Sequence, residues 1–584
     1  VKRLTDPTAL TNPTALAALA ERDAPVEPAT PAEPATLTAP ETPTAPDAVD
    51  TLADWRLRPG VAFTPLRNGL HLRGRRATVT LEGSAALPGL WRLLEQPLRT
   101  GDTSPLTSQA PPGSPLRRAL TQLITHLHTH DLLVPSTTAP PWLRALADAP
   151  DAAATALAHA TPTVLAADPA HPLARAAAQA LTRSGTTPAP SGPAPQLAPG
   201  RVLLLADSAH PVAVALATTP TGGYVTHPGS PAQALADAAA LHPDQPDHTA
   251  SPLLADLLAG AAAHRLLCAL AGLPDPAAEG EDARLLPGLP AVLIAELEPP
   301  QAMYHPWLGP DRLDPDRRTE LAPPPDLATA LHRASALTDP RTGLLAAPRP
   351  GRLPQLPLAQ VETTAAGRLL RLGGLRLDLA RLDATCHAAE LELSSPEARF
   401  TVGADPTHAR GLALRRATLG LPRHGLPTTA WGEDPQACHW WRTAVTQLGP
   451  STRLRVERLA DGVHRATVLD GRTPIGRAVE ATPADAVTFA TLNALSPVPA
   501  PLIPSGATAP LVTAGQQPAD WEDTGWTTGW LAQVAARERA LQAALHALTD
   551  PIPGPVPPGP LTTALTTALR TVGYTVLPTP GGHP

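Results

Sequence analysis

Between Trp55 and Gly83 the chain reads WRLRPGVAFTPLRNGLHLRGRRATVTLEG, and no other stretch constrains the fold as much. Val79 and Leu81 alternate with Thr78 and Thr80, the period-two pattern of a half-buried strand. Asn68-Gly69 marks a hairpin turn. Two helix-like stretches follow, LPGLWRLLEQPL and PLRRALTQLITHLHTHDLL. Three short strands followed by helices predict a small winged-helix-like module whose strand edge is open to an extended peptide. Over residues 53–135 ten arginines stand against five acids, a net +5 in a chain of net charge −7. The basic module suits an acidic peptide partner or a solvated basic face, and the net charge of −7 for the whole chain argues against a general nucleic-acid binder.

Composition removes several chemistries. Lys2 is the only lysine, which excludes a P-loop lysine and a core Schiff-base lysine. Cys268, Cys386 and Cys438 are odd in number and far apart, so a reducing compartment and no CxxC zinc pair are expected. No signal-peptide core and no membrane span are read from the chain, and a cytoplasmic location away from membranes follows. His126 and His130 lie one helical turn apart, but no cysteine or carboxylate partner accompanies them. They read as surface histidines, and no metal site is expected. No HExxH, GxSxG or EF-hand pattern occurs, and no catalytic residue is singled out.

Four segments are expected. Residues 1–52, rich in Ala, Pro, Thr and acids, read as disordered. Residues 53–137 form the winged-helix-like module. Residues 138–318 alternate strands (Thr163–Ala167, Arg201–Asp207) with helices (His171–Leu181, and the apolar Ser251–Leu270), an order that predicts a parallel α/β sheet. Residues 327–584 carry the strand-like runs LLRLGGLRLDL and LRVERLADGVHRATVLDG and a helix over Trp530–Leu548. The fold class is therefore α/β multidomain. The turn Ala166–Pro172 after the first strand of the α/β segment has no glycine. Its Asp168 would repel phosphate and its prolines remove amide donors, so no nucleotide is expected there.

The order of these segments resembles one family. LRPGVAFTPLRNGLHLRGRRATVTLEG is similar to the leader-peptide recognition element of azoline-forming cyclodehydratases, which modify ribosomally made peptides such as thiopeptides. HPLARAAAQALTRSG, RVLLLADSAHP, YVTHPGSPAQAL and SPLLADLLAGAAAHRLLCALAG resemble the ThiF/MoeB-type α/β domain that follows it. Where relatives carry cysteine pairs, this chain has Pro228-Gly229-Ser230-Pro231 and His305-Pro306-Trp307, so the resemblance comes without zinc. The last segment resembles a YcaO α+β domain through Thr338-Asp-Pro-Arg-Thr-Gly-Leu-Leu, through Val402–Ala417 and through Thr482–Asn493. There the family uses glutamates to hold magnesium and nucleotide. This chain has Arg415, Arg416 and Asn493 instead, which makes the domain degenerate.

The resemblance implies a leader-binding subunit that is not an enzyme on its own. It would carry no cofactor and would present precursor Cys, Ser or Thr to a separate catalytic YcaO subunit that uses ATP and magnesium. An azoline dehydrogenase and a second copy of the chain are further partners it implies. The leader is expected to add as a strand along Arg76–Leu81, that is Arg76, Thr78, Val79, Thr80 and Leu81. Apolar pockets would form between that strand and the helix bearing Leu120, Leu123, Ile124 and Leu127. Arg73, Arg75 and Arg76 would pair with leader carboxylates, with Arg117 and Arg118 as secondary candidates. Two alternatives stay open: an ATP-using enzyme relying on Glu390, Glu457 or Glu480, and a peptide binder unrelated to cyclisation.

Overall fold

In the computed structural model the described residues run from Val49 to Thr579, apart from 76, 195–196, 199, 208–210, 242–250, 279–281, 310–319, 396–398, 423–424, 497–504, 515–525, 550–553 and 556–562. The chain divides into two compact units: one runs to Pro162 and takes in Leu266–Asp275, and the other holds most of the rest.

The first unit contains β1 (Trp55–Leu57), β2 (Ala62–Leu66), β3 (Gly69–Arg73), β4 (Thr78–Glu82), α1 (Leu87–Thr100), α2 (Ser104–Gln109), α3 (Pro115–Thr129), β5 (Leu133–Pro135), α4 (Pro141–Leu146) and α5 (Pro150–His159). Strands β2, β3 and β4 form an antiparallel sheet in that order, and β1 pairs with β5. Trp91, Leu70, Leu72, Leu94, Leu98 and Leu120 are fully buried in one core. Val49 and Leu52 belong to the same core at 1% and 0% exposure. The segment expected to be disordered up to residue 52 is therefore packed from Val49 on, and residues 1–48 lie outside the described residues.

The hairpin turn is Arg67-Asn68, one residue earlier than expected, and Gly69 opens β3. A Cβ on Gly69 would lie 2.3 Å from the Leu81 carbonyl oxygen, so glycine is required there for close strand approach. Two of the arginines counted in the basic module are internal. Arg58 donates to Asp131 Oδ1 (2.6 Å) and to the carbonyls of Arg144 and Ala147. Arg117, 3% exposed, pairs with Asp50 and donates to the Ala110 carbonyl.

The second unit begins with β6 (Thr161–Ala166), α6 (Pro172–Arg183), β7 (Ala189–Pro193), β8 (Arg201–Asp207), β9 (Val212–Thr219), β10 (Gly222–Val225), α7 (Pro231–Leu241), α8 (Pro252–Leu270), β11 (Ala291–Leu297) and β12 (Pro300–Pro306). The strands form one sheet in the order β12-β11-β10-β9-β8-β6-β7. Only β6–β7 pairs in the expected parallel sense among the registers described; β9 to β12 form an antiparallel meander. Two-residue links between β9 and β10 and between β11 and β12 leave no room for a crossover, so those neighbours must be antiparallel.

Contrary to expectation, α8 is long and apolar enough to cross a membrane by length and composition, with a mean hydropathy of 1.6 and 56% of that window buried. Arg265, fully buried, donates to the Ala291 carbonyl at 2.7 Å and lies 5.3 Å from the centre of the Tyr304 ring.

The chain continues with α9 (Leu327–Leu337), β13 (Ala359–Ala365), β14 (Arg368–Gly374), α10 (Leu377–Leu393), β15 (Phe400–Gly403), α11 (Pro406–Gly420), β16 (Leu426–Pro427), α12 (Pro435–Leu448), β17 (Thr452–Ala460), β18 (Val463–Asp470), β19 (Thr473–Glu480), α13 (Pro483–Leu495), α14 (Ala509–Ala514), α15 (Trp526–Leu548), α16 (Ala564–Thr571) and β20 (Thr575–Pro578). Sheets form from β13-β14, β15-β20 and β16-β17-β18-β19. The run LLRLGGLRLDL is not one strand: β14 stops at Gly374, and its last Leu-Asp-Leu opens α10. Many prolines start helices. Ser114, Asp405, Asp434 and Thr482 each cap a helix N-terminus through the side chain, and each precedes a proline at the first helical position. Proline is tolerated there because that N–H has no intrahelical partner.

Replacing the enclosed Trp91 by Ala removes the largest side chain of the first core. It is expected to destabilise that unit by about 3–5 kcal/mol, read as an earlier urea transition in circular dichroism. A shift below about 1 kcal/mol would show that the core does not depend on it.

Candidate functional site

The expected recognition strand, β4, stands at the edge of its sheet. Backbone hydrogen bonds flank it at Gly74 N–H to Ala77 O (2.8 Å) and Gly83 N–H to Asn68 O (2.8 Å). Antiparallel pairing alternates, so Val79 and Leu81 bond back to β3, while Thr78, Thr80 and Glu82 turn their N–H and C=O groups to the open edge. The opposite edge differs. By the same alternation Pro65 of β2 faces outward, and it has no N–H to donate. The sheet therefore offers a full donor–acceptor row at β4 and a blunted one at β2.

The side chains sort differently from the backbone. Val79 and Leu81 are 7% and 6% exposed, and Leu120, Leu123, Ile124 and Leu127 lie between 0% and 3%. All six belong to the closed core of the unit, so their side chains fill the space expected to hold leader residues. Thr78 is exposed, and Thr80 shares a hydrogen bond with His71 Nδ1 (2.8 Å). Arg73, Arg75 and Arg118 are exposed, whereas Arg117 is committed to Asp50. Arg76 lies outside the described residues. Of the two histidines on α3, His128 stacks edge-on against Trp55 at 4.0 Å.

In the α/β segment the glycine-free turn is closed by its own side chains. Asp168 Oδ1 accepts the Ala170 N–H (2.9 Å), and His171 Nδ1 accepts the Leu173 N–H at the start of α6. At Pro228–Ala234, Ser230 accepts the Gln233 N–H at the start of α7.

The last segment contains a charge cluster that sequence spacing did not reveal. Arg415 of α11, with its side chain 4% exposed, reaches Glu480 of β19 (3.0 and 2.8 Å) and Glu538 of α15 (2.7 and 2.6 Å). Gln542 donates to Glu538, and the Gly506 N–H donates to Glu480. Arg416 binds Glu390 at 2.7 and 2.9 Å, and Arg465 binds Glu457 at 3.1 and 2.7 Å. The three acids named as alternative ATP ligands are thus each held by a guanidinium. Asn493 donates to the Arg477 carbonyl (2.7 Å).

Electrostatics follow this geometry. Burial would push the Glu390 carboxyl up, but Arg416, with His387 behind it, outweighs burial and holds it at about 2. Burial pushes Glu480 up despite Arg415, and Arg415 holds Glu538 down. Burial lowers His408 to about 4. Its Nδ1 accepts the Ala404 N–H (3.1 Å), which leaves Nε2 to donate to Thr508 Oγ1 (3.1 Å). Asp383 lines a cavity of about 20 Å³, room for one water, with Ser505 and Thr508. Burial raises its pKa to about 7 against the pull of Thr508 and Arg416.

A magnesium–triphosphate complex needs carboxylate oxygens that can turn to a hard cation. Here both oxygens of Glu390 and Glu480, and Oε2 of Glu457, already accept guanidinium N–H groups, and releasing them would strand buried charge.

No family model and no curated protein matches this chain. Among solved structures it is similar to one described as "Heterocyclase in complex with substrate and Cofactor", at 12% identity and a TM-score of 0.43, covering 90% of this chain and 94% of that one. It is also similar to one described as "Structure of the heterocyclase TruD", at 12% identity and a TM-score of 0.37, covering 90% and 93%.

Arg415→Met leaves Glu480 and Glu538 buried without their cation. It is expected to cost about 3–5 kcal/mol in urea unfolding, with partial recovery when both acids become Gln. A cost under about 1 kcal/mol would show the cluster to be structurally idle. Asp383 has a folded pKa above its ordinary value of 3.8, so the folded state holds the proton more tightly. Its contribution therefore falls as pH rises from about 4 to about 7. Asp383→Asn is expected to remove that part of the stability–pH slope, and an unchanged slope would contradict the assignment.

Proposed function

We propose that this chain is the leader-binding scaffold subunit of a split, ATP-dependent azoline-forming cyclodehydratase in thiopeptide-type ribosomal peptide biosynthesis. It holds the leader of the precursor and presents its Cys, Ser or Thr residues to a separate YcaO subunit. In that subunit the side-chain thiol or hydroxyl adds to the preceding carbonyl, and the amide oxygen takes the γ-phosphoryl group of ATP and leaves as phosphate. This chain contributes affinity and proximity, which raise the local concentration of substrate at the partner's site. The reading places the chain in the cytoplasm, with an azoline dehydrogenase and a second copy as further partners.

One contrast carries the reading. The backbone edge of β4 keeps its donors and acceptors at Thr78, Thr80 and Glu82, while Glu390, Glu457 and Glu480 are committed to arginines. The first supports strand addition of an extended leader, with the exposed Arg73 and Arg75 beside it for acidic leader residues. The second supports placing the nucleotide chemistry on another chain. Because the neighbouring apolar side chains are core residues, main-chain hydrogen bonds and exposed side chains supply the affinity in this version of the model.

Fluorescence anisotropy with labelled leader peptides of candidate precursors from the gene neighbourhood tests this reading. Thr80→Pro removes an outward N–H without touching a backbone bond to β3, and is expected to weaken binding about tenfold or more. Thr80→Val, which loses only the side-chain bond to His71, is expected to bind as the unaltered chain does. Arg73→Glu is expected to weaken binding less than Thr80→Pro and to flatten its salt dependence. Unchanged affinity in both Thr80→Pro and Arg73→Glu overturns strand addition at β4. ADP release with precursor and no second protein would favour the enzyme reading, and failure to co-purify with a YcaO subunit would favour an unrelated peptide binder.

A further inference from the structure

A cleft of about 390 Å³ lies between the β11–β12 hairpin and the loop after α9, apart from the β4 edge and the charge cluster. Its size is within the range of ligand sites, roughly 300–1,000 Å³. The floor follows from strand register: Ile294 lies opposite Met303 at the centre, and Glu296 opposite Gln301 at one end. His305 stands at the other end, and Arg341 with Pro340 forms the wall.

The polar groups differ in how far their bonding capacity is already used. The Glu296 side chain is 14% exposed, and both its oxygens are engaged, Oε1 by Arg341 and Oε2 by Gln301. His305, 8% exposed, shares its Nδ1 with Asp339 (3.1 Å), whose carboxylate also accepts the Arg341 and Thr342 N–H groups. Nε2 is then the ring nitrogen left for a ligand. Arg284 is closed by two bonds to Asp282 (2.9 and 2.6 Å) and one to the Met303 sulfur. Arg341 differs in its bonding and not in its exposure, which is 53% against 51% for Arg284: among the described residues it makes one ion pair, to Glu296, although a guanidinium carries five N–H donors.

We infer that this cleft binds a peptide carboxylate. The carboxylate sits on Arg341, small neutral residues lie over Ile294 and Met303, and a hydroxyl or thiol of the peptide meets His305 Nε2. Charge selects this ligand. Asp282, Glu296 and Asp339 outnumber the two arginines, so a dianionic phosphate or a nucleotide is disfavoured, while a single carboxylate is matched by Arg341, which keeps N–H donors beyond its pair with Glu296. The inference rests on the leader-binding reading for the identity of the peptide, which is the precursor downstream of its leader. The carboxylate is either its C-terminus or an acidic side chain.

Saturation-transfer NMR titrations of the full chain test this with three probes: N-acetyl-Ala-Ala-Ser with a free C-terminus, the same peptide amidated, and amidated N-acetyl-Ala-Asp-Ser. At least one acidic probe is expected to bind about tenfold more tightly than the neutral amide, and which one does so identifies the source of the carboxylate. Arg341→Gln is expected to abolish that preference, and Met303→Trp, which fills the floor, to abolish binding. Equal binding of all three probes, a preference that survives Arg341→Gln, or inorganic phosphate displacing the acidic probe at equal concentration overturns the assignment. Leader anisotropy in the two cleft variants is expected to match the unaltered chain. Loss of leader binding confined to Thr80→Pro concerns the β4 edge alone, so failure of the cleft and failure of the leader reading are separable.

Discussion

A single guanidinium, that of Arg415, organises the last part of this protein. It joins a helix, a strand end and a second helix through Glu480 and Glu538, residues 65 and 123 positions away along the chain. Two glycines make room for it. A Cβ on Gly411 would come within 2.7 Å of Glu538, and one on Gly506 within 2.7 Å of Glu480. Such a cluster gains little net stability over an apolar core, because burial of each charge opposes the Coulomb attraction. What it imposes is register: α11, β19 and α15 meet in one arrangement or leave charge unpaired.

The same interaction bears on chemistry. Arginines stand where the resemblance leads one to expect metal-binding glutamates, and the remaining acids are drawn onto them. Under the proposed function, guanidinium groups with fixed hydrogen bonds occupy carboxylate oxygens that would otherwise suit a divalent ion. In the first unit the emphasis is reversed. There the apolar side chains are sealed in the core, and the backbone of one strand edge is left with its bonding capacity. Under the proposed function these are two halves of one specialisation, with binding kept in this chain and nucleotide chemistry left to a partner.

Much of the fold was legible because it is local. Ser114-Pro115, Asp405-Pro406, Asp434-Pro435 and Thr482-Pro483 announce helix starts, and the alternation around Val79 announces a strand. The difficulties arose where the partner is remote. Arg117 looked like surface charge until Asp50 was brought beside it. The helix Leu residues looked equally suited to a groove or a core, and packing of Trp91, Leu70 and Leu72 beside them closed the core. The parallel-sheet expectation rested on strand–helix order at β6–α6–β7 and did not extend to the two-residue links farther on.

The sequence by itself determined helix starts, the hairpin and the alternating strand at Val79, since helix caps, turn residues and period-two alternation act within a few residues. Only the tertiary structure decided which edge of the sheet is open, because that depends on whether Pro65 or Thr80 faces outward in the ladder. It alone also decided that Glu390, Glu457 and Glu480 belong to arginines. Ion pairing is a matter of distance in space, and the partners Glu480 and Glu538 carry no local mark in the chain that points to Arg415.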